Sequence, residues 1–149
     1  MEIPDFHAFF EAYAKRLKVR PGQKVHFEPG RSVVGQMGSL IARTIYIKKG
    51  TNKDFCILDA GMTELIRPAL YGAFHSIMNI SNPDGIKKVY DVVGPICESS
   101  DVFAKDYSME ETHRGDFIAI RSAGAYGEIM ASQYNCRPLP VGYISEDFK

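Results

Sequence analysis

The hydrophobic pattern of this chain changes once, at Gly30, and that break limits the possible folds more than any other feature. Before it, Phe6, Phe9, Phe10, Tyr13, Ala14 and Leu17 recur at helical spacing from Asp5 to Val19, the signature of a helix with one apolar stripe. Arg16, Lys18 and Arg20 stand at its end, where cations suit the helix dipole, and Pro21-Gly22 stops it. Lys24 to Phe27 reads as a short strand. After Gly30 come short runs of Val, Ile, Phe and Tyr divided by turn residues. Val33 to Lys48 is predicted as one long strand or a pair, with Asp54 to Asp59, Lys87 to Val93, Val102 to Lys105 and Gly115 to Ser122 as further strands. Leu65 to Phe74 and the stretch after Tyr126 read as locally helical, and Ser81-Asn82-Pro83-Asp84-Gly85 as a surface turn. The expected class is mainly β, a barrel or sandwich, preceded by a lone helix and strand.

That lone pair is out of place, because so aromatic a helix face ordinarily packs on more sheet than the rest of the chain offers. It suggests a piece of a larger fold. The 149 residues suit one domain and cannot hold a (β/α)8 barrel, which takes about 250 residues. Eighteen basic residues balance eighteen acidic ones, so the electrostatic footprint of a nucleic-acid or anionic-membrane binder is missing. No apolar run approaches the ~18 residues of a membrane span, and Met1-Glu2-Ile3-Pro4-Asp5 is acidic where a signal peptide is basic; the expected location is the cytoplasm. Cys56, Cys97 and Cys136 lie about forty residues apart, a spacing of free thiols rather than of a metal knuckle or disulfide framework. Cys56, inside an apolar run, reads as a core thiol. His7, His26, His75 and His113 lack metal-ligand spacing and read as surface or core histidines, so no metal site is expected.

Four short motifs remain. Taken singly, Glu28-Pro29-Gly30-Arg31 is a turn with solvated charges, Arg67-Pro68-Ala69-Leu70-Tyr71 a helix start, Gly94-Pro95-Ile96-Cys97-Glu98-Ser99 a loop with a thiol, and Ser122-Ala123-Gly124-Ala125-Tyr126-Gly127 a glycine-rich strand end. In this order, within the blocks HFEPGRSVVGQMGSLIART, ILDAGMTELIRPALYGAFH, DVVGPICESSDVFAKD and GDFIAIRSAGAYGEIMASQYNCRP, the chain resembles the C-terminal part of the diaminopimelate decarboxylases, pyridoxal-phosphate enzymes that make L-lysine from meso-2,6-diaminopimelate. The likeness covers essentially the whole chain.

The resemblance implies a two-domain enzyme, with residues 1–29 as the last helix and strand of a truncated (β/α)8 barrel and residues 30–149 as a C-terminal β-barrel domain. It implies that Glu28 partners the pyridinium nitrogen, that the backbone at Gly30 approaches the phosphate, and that Arg31 and Tyr126 touch both cofactor and substrate. Arg67 and Tyr71, four apart on one face of a helical turn, would hold the distal carboxylate of diaminopimelate, and Glu98 its distal ammonium. Cys97 resembles the catalytic thiol; thiols, with a reference pKa near 8.5, are mostly protonated at neutral pH and can act as general acids. The Cys-Glu-Ser loop would reach the active site of a second subunit, which implies a homodimer with shared sites. None of Lys24, Lys48, Lys53 or Lys105 sits in the context of the cofactor-binding lysine, so the chain alone is expected to be inactive. Two alternatives stand beside this one: a related decarboxylase of ornithine or carboxynorspermidine, or a non-catalytic β-barrel dimerisation module.

Overall fold

Six strands form one sheet around a core of aliphatic side chains in the computed structural model, which describes residues 4–148. The strands are β1 (Ser39–Lys49), β2 (Asp54–Leu58), β3 (Ile77–Asn79), β4 (Lys87–Val93), β5 (Val102–Glu110) and β6 (Phe117–Arg121). Their order is β3-β6-β1-β2-β4-β5. All neighbours are antiparallel except β2 and β4. The parallel pair needs a long crossover, and residues 59–86 supply it, carrying the short helix α3 (Arg67–Tyr71) and β3.

The two edge strands meet, so the sheet is nearly closed. They meet through side chains rather than a ladder: the Ile77 N–H donates to the Tyr107 hydroxyl (2.9 Å) and the Asn79 N–H to the Glu110 carboxylate (3.2 Å). Leu58, Leu65, Val92, Met109, Ile118 and Ile120 are fully buried inside, each worth roughly 1.5–3 kcal/mol of apolar burial. Asn79 is also fully buried, and it bonds to Glu111, Thr112 and Asp116 through its amide nitrogen and to the Ser81 and Asn82 N–H groups through its oxygen. Those last two bonds shape the predicted turn at Ser81 to Gly85.

The mainly β class stands, while several boundaries move. The predicted first helix is α1 (Phe6–Arg16), capped by the Asp5 carboxylate on the Ala8 N–H (2.9 Å). It ends at Leu17, four residues before Pro21, where the backbone turns extended. Lys24 to Phe27 is extended but pairs with no strand among the described residues, so it is not a strand. Phe27 instead packs edge-on to Phe10 and Tyr13 of α1, with centroids 5.0 and 4.9 Å apart. The predicted strand from Val33 begins only at Ser39, because Arg31–Val34 is a single helical turn, α2, continued by Gly35–Met37 as a 3-10 turn. The predicted strand from Val102 continues past Lys105 to Glu110. The helical readings shorten to α3 and to a 3-10 turn at Glu128–Met130. No described helix is long and apolar enough to cross a membrane.

Candidate active site

Strand register decides which loops become neighbours. Ser39 at the start of β1 pairs with Arg121 at the end of β6, and Ile120 of β6 pairs with Ile77 at the start of β3. Leu58 at the end of β2 pairs with Thr44 of β1, Ile57 lies beside Val93 at the end of β4, and Val93 pairs with Val102 at the start of β5. The segments before β1 and β3, after β2 and β6, and between β4 and β5 therefore emerge at one end of the sheet. Every candidate site residue of the four motifs lies on one of those segments or on the turn leading to them.

Arg67 opens α3, and its guanidinium lies over two rings, 5.3 Å from the centre of Tyr71 and 5.9 Å from that of Tyr126. The helical spacing of Arg67 and Tyr71 thus produces the juxtaposition the sequence predicts, and Tyr126 joins it from the opposite segment. Tyr126 has φ +57°, a left-handed conformation that costs a non-glycine residue of order 1–3 kcal/mol. The result is a cation held between aromatic faces with its N–H edge free to meet an anion.

The Glu28 to Arg31 turn reaches the same end. Gly30 has φ 56° and ψ −126°, and the Ser32 N–H donates to the Pro29 carbonyl (3.3 Å). This is a type II′ turn, whose first central position excludes a Cβ on energetic grounds. Glu28 and Arg31 are both exposed beside it. The chain that follows is laced to the tyrosine segment, because Gly124 and Ala123 donate to the carbonyls of Gly35 and Gly38 (both 3.0 Å).

Cys97 and Glu98 form the tip of the β4–β5 connection, both exposed, the thiol free. They stand on a separate loop from the Arg67 stack. The other end of that loop approaches α3 across a groove lined by Ala69, Ala73, Phe74, Ser99, Ser100 and Tyr107. Cys56 is buried against Thr44, and burial pushes its thiol up to about 11, in accord with a core thiol.

One neighbour of the arginines was legible only as a surface or core histidine. His75 is buried, its Nδ1 lies 2.9 Å from the Arg121 carbonyl, and its Nε2 has no hydrogen-bond partner. Burial holds its pKa below 6.5, opposed by the bond to Arg121 and reinforced by the charges of Arg67 and Arg31. The unfolded chain therefore takes up a proton that the folded chain refuses. The stability contributed by the neutral ring is complete above the unfolded pKa and is lost as pH falls from there toward the lowered folded value. In urea unfolding, wild type is expected to lose stability between about pH 7 and pH 5 more steeply than His75→Gln; parallel curves would show that the ring titrates alike in both states.

Residues 13–124 match the family described as pyridoxal-dependent decarboxylase, C-terminal sheet domain. The chain belongs to that family. Its sheet, with the loops of one end turned to a common region, is the fold of this family's C-terminal domain. Among curated relatives, it is 61% identical over 145 residues to the diaminopimelate decarboxylase of Bacteroides thetaiotaomicron, covering 97% of this chain and 37% of the relative. A solved diaminopimelate decarboxylase from Helicobacter pylori, complexed with L-lysine, shares 53% identity over 74% of this chain and 27% of its own, with a TM-score of 0.69. A solved structure of SrLDC in complex with PLP and cadaverine aligns at TM-score 0.85 and 27% identity, over 97% of this chain and 38% of its own. The chain thus spans about a third of the length of the pyridoxal-dependent decarboxylases it matches.

Proposed function

We propose that this chain is the C-terminal, substrate-reading portion of a diaminopimelate decarboxylase, which converts meso-2,6-diaminopimelate to L-lysine and CO₂ with pyridoxal phosphate. The observation that carries this reading is Arg67, a guanidinium set between the rings of Tyr71 and Tyr126 and suited to bidentate contact with a carboxylate. In this reading residues 1–29 complete an upstream (β/α)8 barrel and residues 30–149 are the β-domain. The helix α1 supports that division, since it buries none of its described residues and keeps Phe9, Phe10 and Tyr13 part-exposed.

The residues present fit the cofactor by their chemistry. A phosphorylated pyridine needs a carboxylate, a cation, a backbone approach without a Cβ and a ring contact; Glu28, Arg31, Gly30 and Tyr126 supply them at one end of the sheet. When bound, pyridoxal phosphate supplies an electron sink for the bond to the departing CO₂. Glu28 would keep a proton on the pyridine nitrogen, while Arg31 and the Gly30 backbone would hold the phosphate. Arg67 and the Tyr71 hydroxyl fix the carboxylate that does not react, and Glu98 holds the ammonium beside it. Cys97 then delivers a proton from Sγ to the carbon that CO₂ leaves. Cys97 and Glu98 act in a partner subunit's site in this reading, in keeping with their exposure on a loop of their own. The three free thiols suit a reducing, cytoplasmic compartment.

Decarboxylases of ornithine or carboxynorspermidine are the second reading, and the likeness to a structure holding cadaverine, a diamine without a carboxylate, favours it. Arg67 argues the other way, for a diamine-type substrate gives its charge nothing to meet. A non-catalytic barrel would leave the strained Tyr126 without a purpose.

Two of the four lysines named from the sequence are committed elsewhere: Lys53 is paired to Asp91 (2.9 Å) and Lys48 lies over the Phe55 ring. The 149-residue chain mixed with pyridoxal phosphate is therefore expected to show neither CO₂ release nor a cofactor absorbance shift, and to gain both when the upstream barrel is supplied. Borohydride fixation of the cofactor on a lysine of the isolated chain would overturn this.

A further inference from the structure

The loop carrying Cys97 and Glu98 is held at its base by a buried carboxylate. Asp101 is 4% exposed, and its two oxygens accept from different segments: Oδ1 from the Met62 N–H (2.6 Å) and Oδ2 from the Ile96 N–H (2.7 Å). Its backbone closes the loop as well, since the Asp101 N–H donates to the Glu98 carbonyl and the Gly94 N–H to the Asp101 carbonyl (both 3.1 Å). Two glycines make room for it. A Cβ at Gly61 would lie 2.7 Å from Oδ1, and one at Gly94 would collide with the same carboxylate.

The Met62 side of this clamp is itself fixed. Met62 is the second residue of a turn closed by the Glu64 N–H on the Gly61 carbonyl (3.1 Å). The buried Glu64 carboxylate accepts from the Gly61 N–H (2.7 Å), the Thr63 hydroxyl (2.8 Å) and Arg137 Nε (3.0 Å). Three residues beyond Glu64 is Arg67. Through Asp101, the loop with the thiol is thus joined to the segment that presents the guanidinium.

We infer that Asp101 is the positioning residue of the Cys97-Glu98 loop, fixing its distance and orientation relative to the Gly61-to-Arg67 segment. The inference rests on the functional reading above for what the loop does, and on geometry alone for how it is held. Burial, helped by the nearby Glu64, holds the Asp101 pKa above its usual value despite the Ile96 and Met62 N–H groups and the Arg137 charge. A raised carboxylate pKa means that the ionised form costs folding free energy at neutral pH, a cost compatible with a gain in loop placement.

Asp101→Asn tests this, because an amide cannot accept from both N–H groups and must oppose one of them with its NH₂. Asp101→Ser is the second variant: its single short hydroxyl keeps a polar group at the site and cannot reach both the Met62 and the Ile96 N–H groups. Both are made in the complete enzyme, with Cys136→Ser as background, and iodoacetamide alkylation is read at the peptide that carries Cys97. The expected result is faster alkylation of Cys97, faster hydrogen exchange at the Ile96 amide, and kcat per folded molecule lower by roughly 10²-fold, the scale of a misplaced catalytic group. A residue that only supports the fold would lower the melting temperature and leave kcat of the folded fraction unchanged, and that outcome would overturn the inference, as would unaltered alkylation and exchange. If alkylation and exchange respond but the parent enzyme does not act on diaminopimelate, the clamp stands and the substrate assignment falls.

Discussion

Arg67→Ala in the complete enzyme is expected to lower kcat/KM for diaminopimelate by roughly 10²- to 10³-fold, the worth of two charge-assisted hydrogen bonds to one carboxylate. An analogue lacking the distal carboxylate should lose no more than about threefold, since only packing of the arginine stem is removed. The contrast between the two substrates is the informative quantity. Arg67 sits above the Tyr71 and Tyr126 rings at 5.3 and 5.9 Å, so its guanidinium plane is set before an anion arrives and little side-chain entropy remains to be lost on binding. Lysine would not substitute, because it offers a point charge in place of a planar fork and stacks poorly. Tyr71→Phe separates the ring from the hydroxyl: it preserves the stack and should cost far less than Arg67→Ala. Equal losses for both substrates on Arg67→Ala would remove the carboxylate role and shift the balance toward the diamine-type reading.

The sequence was readable wherever structure is local. Lys87–Val93 is a strand with the predicted bounds because Val89, Tyr90, Val92 and Val93 leave few other choices to seven residues between turns. Arg67 and Tyr71 share a helical turn as their spacing requires. Val33 and Val34 look like strand residues, yet the type II′ turn at Gly30 directs the chain into a helical turn first. The second half of β5 is polar, with Lys105, Asp106 and Ser108, and only the β4 ladder reveals it as strand. Lys24 to Phe27 shows the converse, strand-like residues with no strand to pair with among the described residues.

The candidate site residues stood out as motifs, but their convergence did not. It follows from the five strand pairings, which set Ser39 against Arg121 and Ile57 against Val93. Asp101 escaped notice for the same reason, and His75 read only as a surface or core histidine. Each looks ordinary beside its neighbours in sequence, and each acquires meaning from a partner at long range, Arg121 in one case and Met62 in the other.

The three cysteines separate a thiol's chemical use from its packing, and Cys97→Ala carries the larger effect. It is expected to lower kcat on the order of 10²- to 10⁴-fold, the usual contribution of a positioned general acid, while KM stays within about threefold because Arg67, Tyr71 and Glu98 still hold the distal end. Cys97→Ser should recover part of the loss, since a hydroxyl can deliver a proton but is a weaker acid than a thiol. Cys136→Ala, also at an exposed thiol, should leave both parameters unchanged. Cys56→Ala should leave kcat of the folded enzyme unchanged and instead lower stability by about 1–2 kcal/mol through lost core contacts, because that thiol is buried beside Thr44 and its pKa is pushed up to about 11. Full turnover by Cys97→Ala would exclude the thiol as the acid and require another group to supply the proton. The exposed Tyr126, which reaches over Arg67, would be the first to test, because among the residues of that stack only it and Tyr71 carry a hydroxyl.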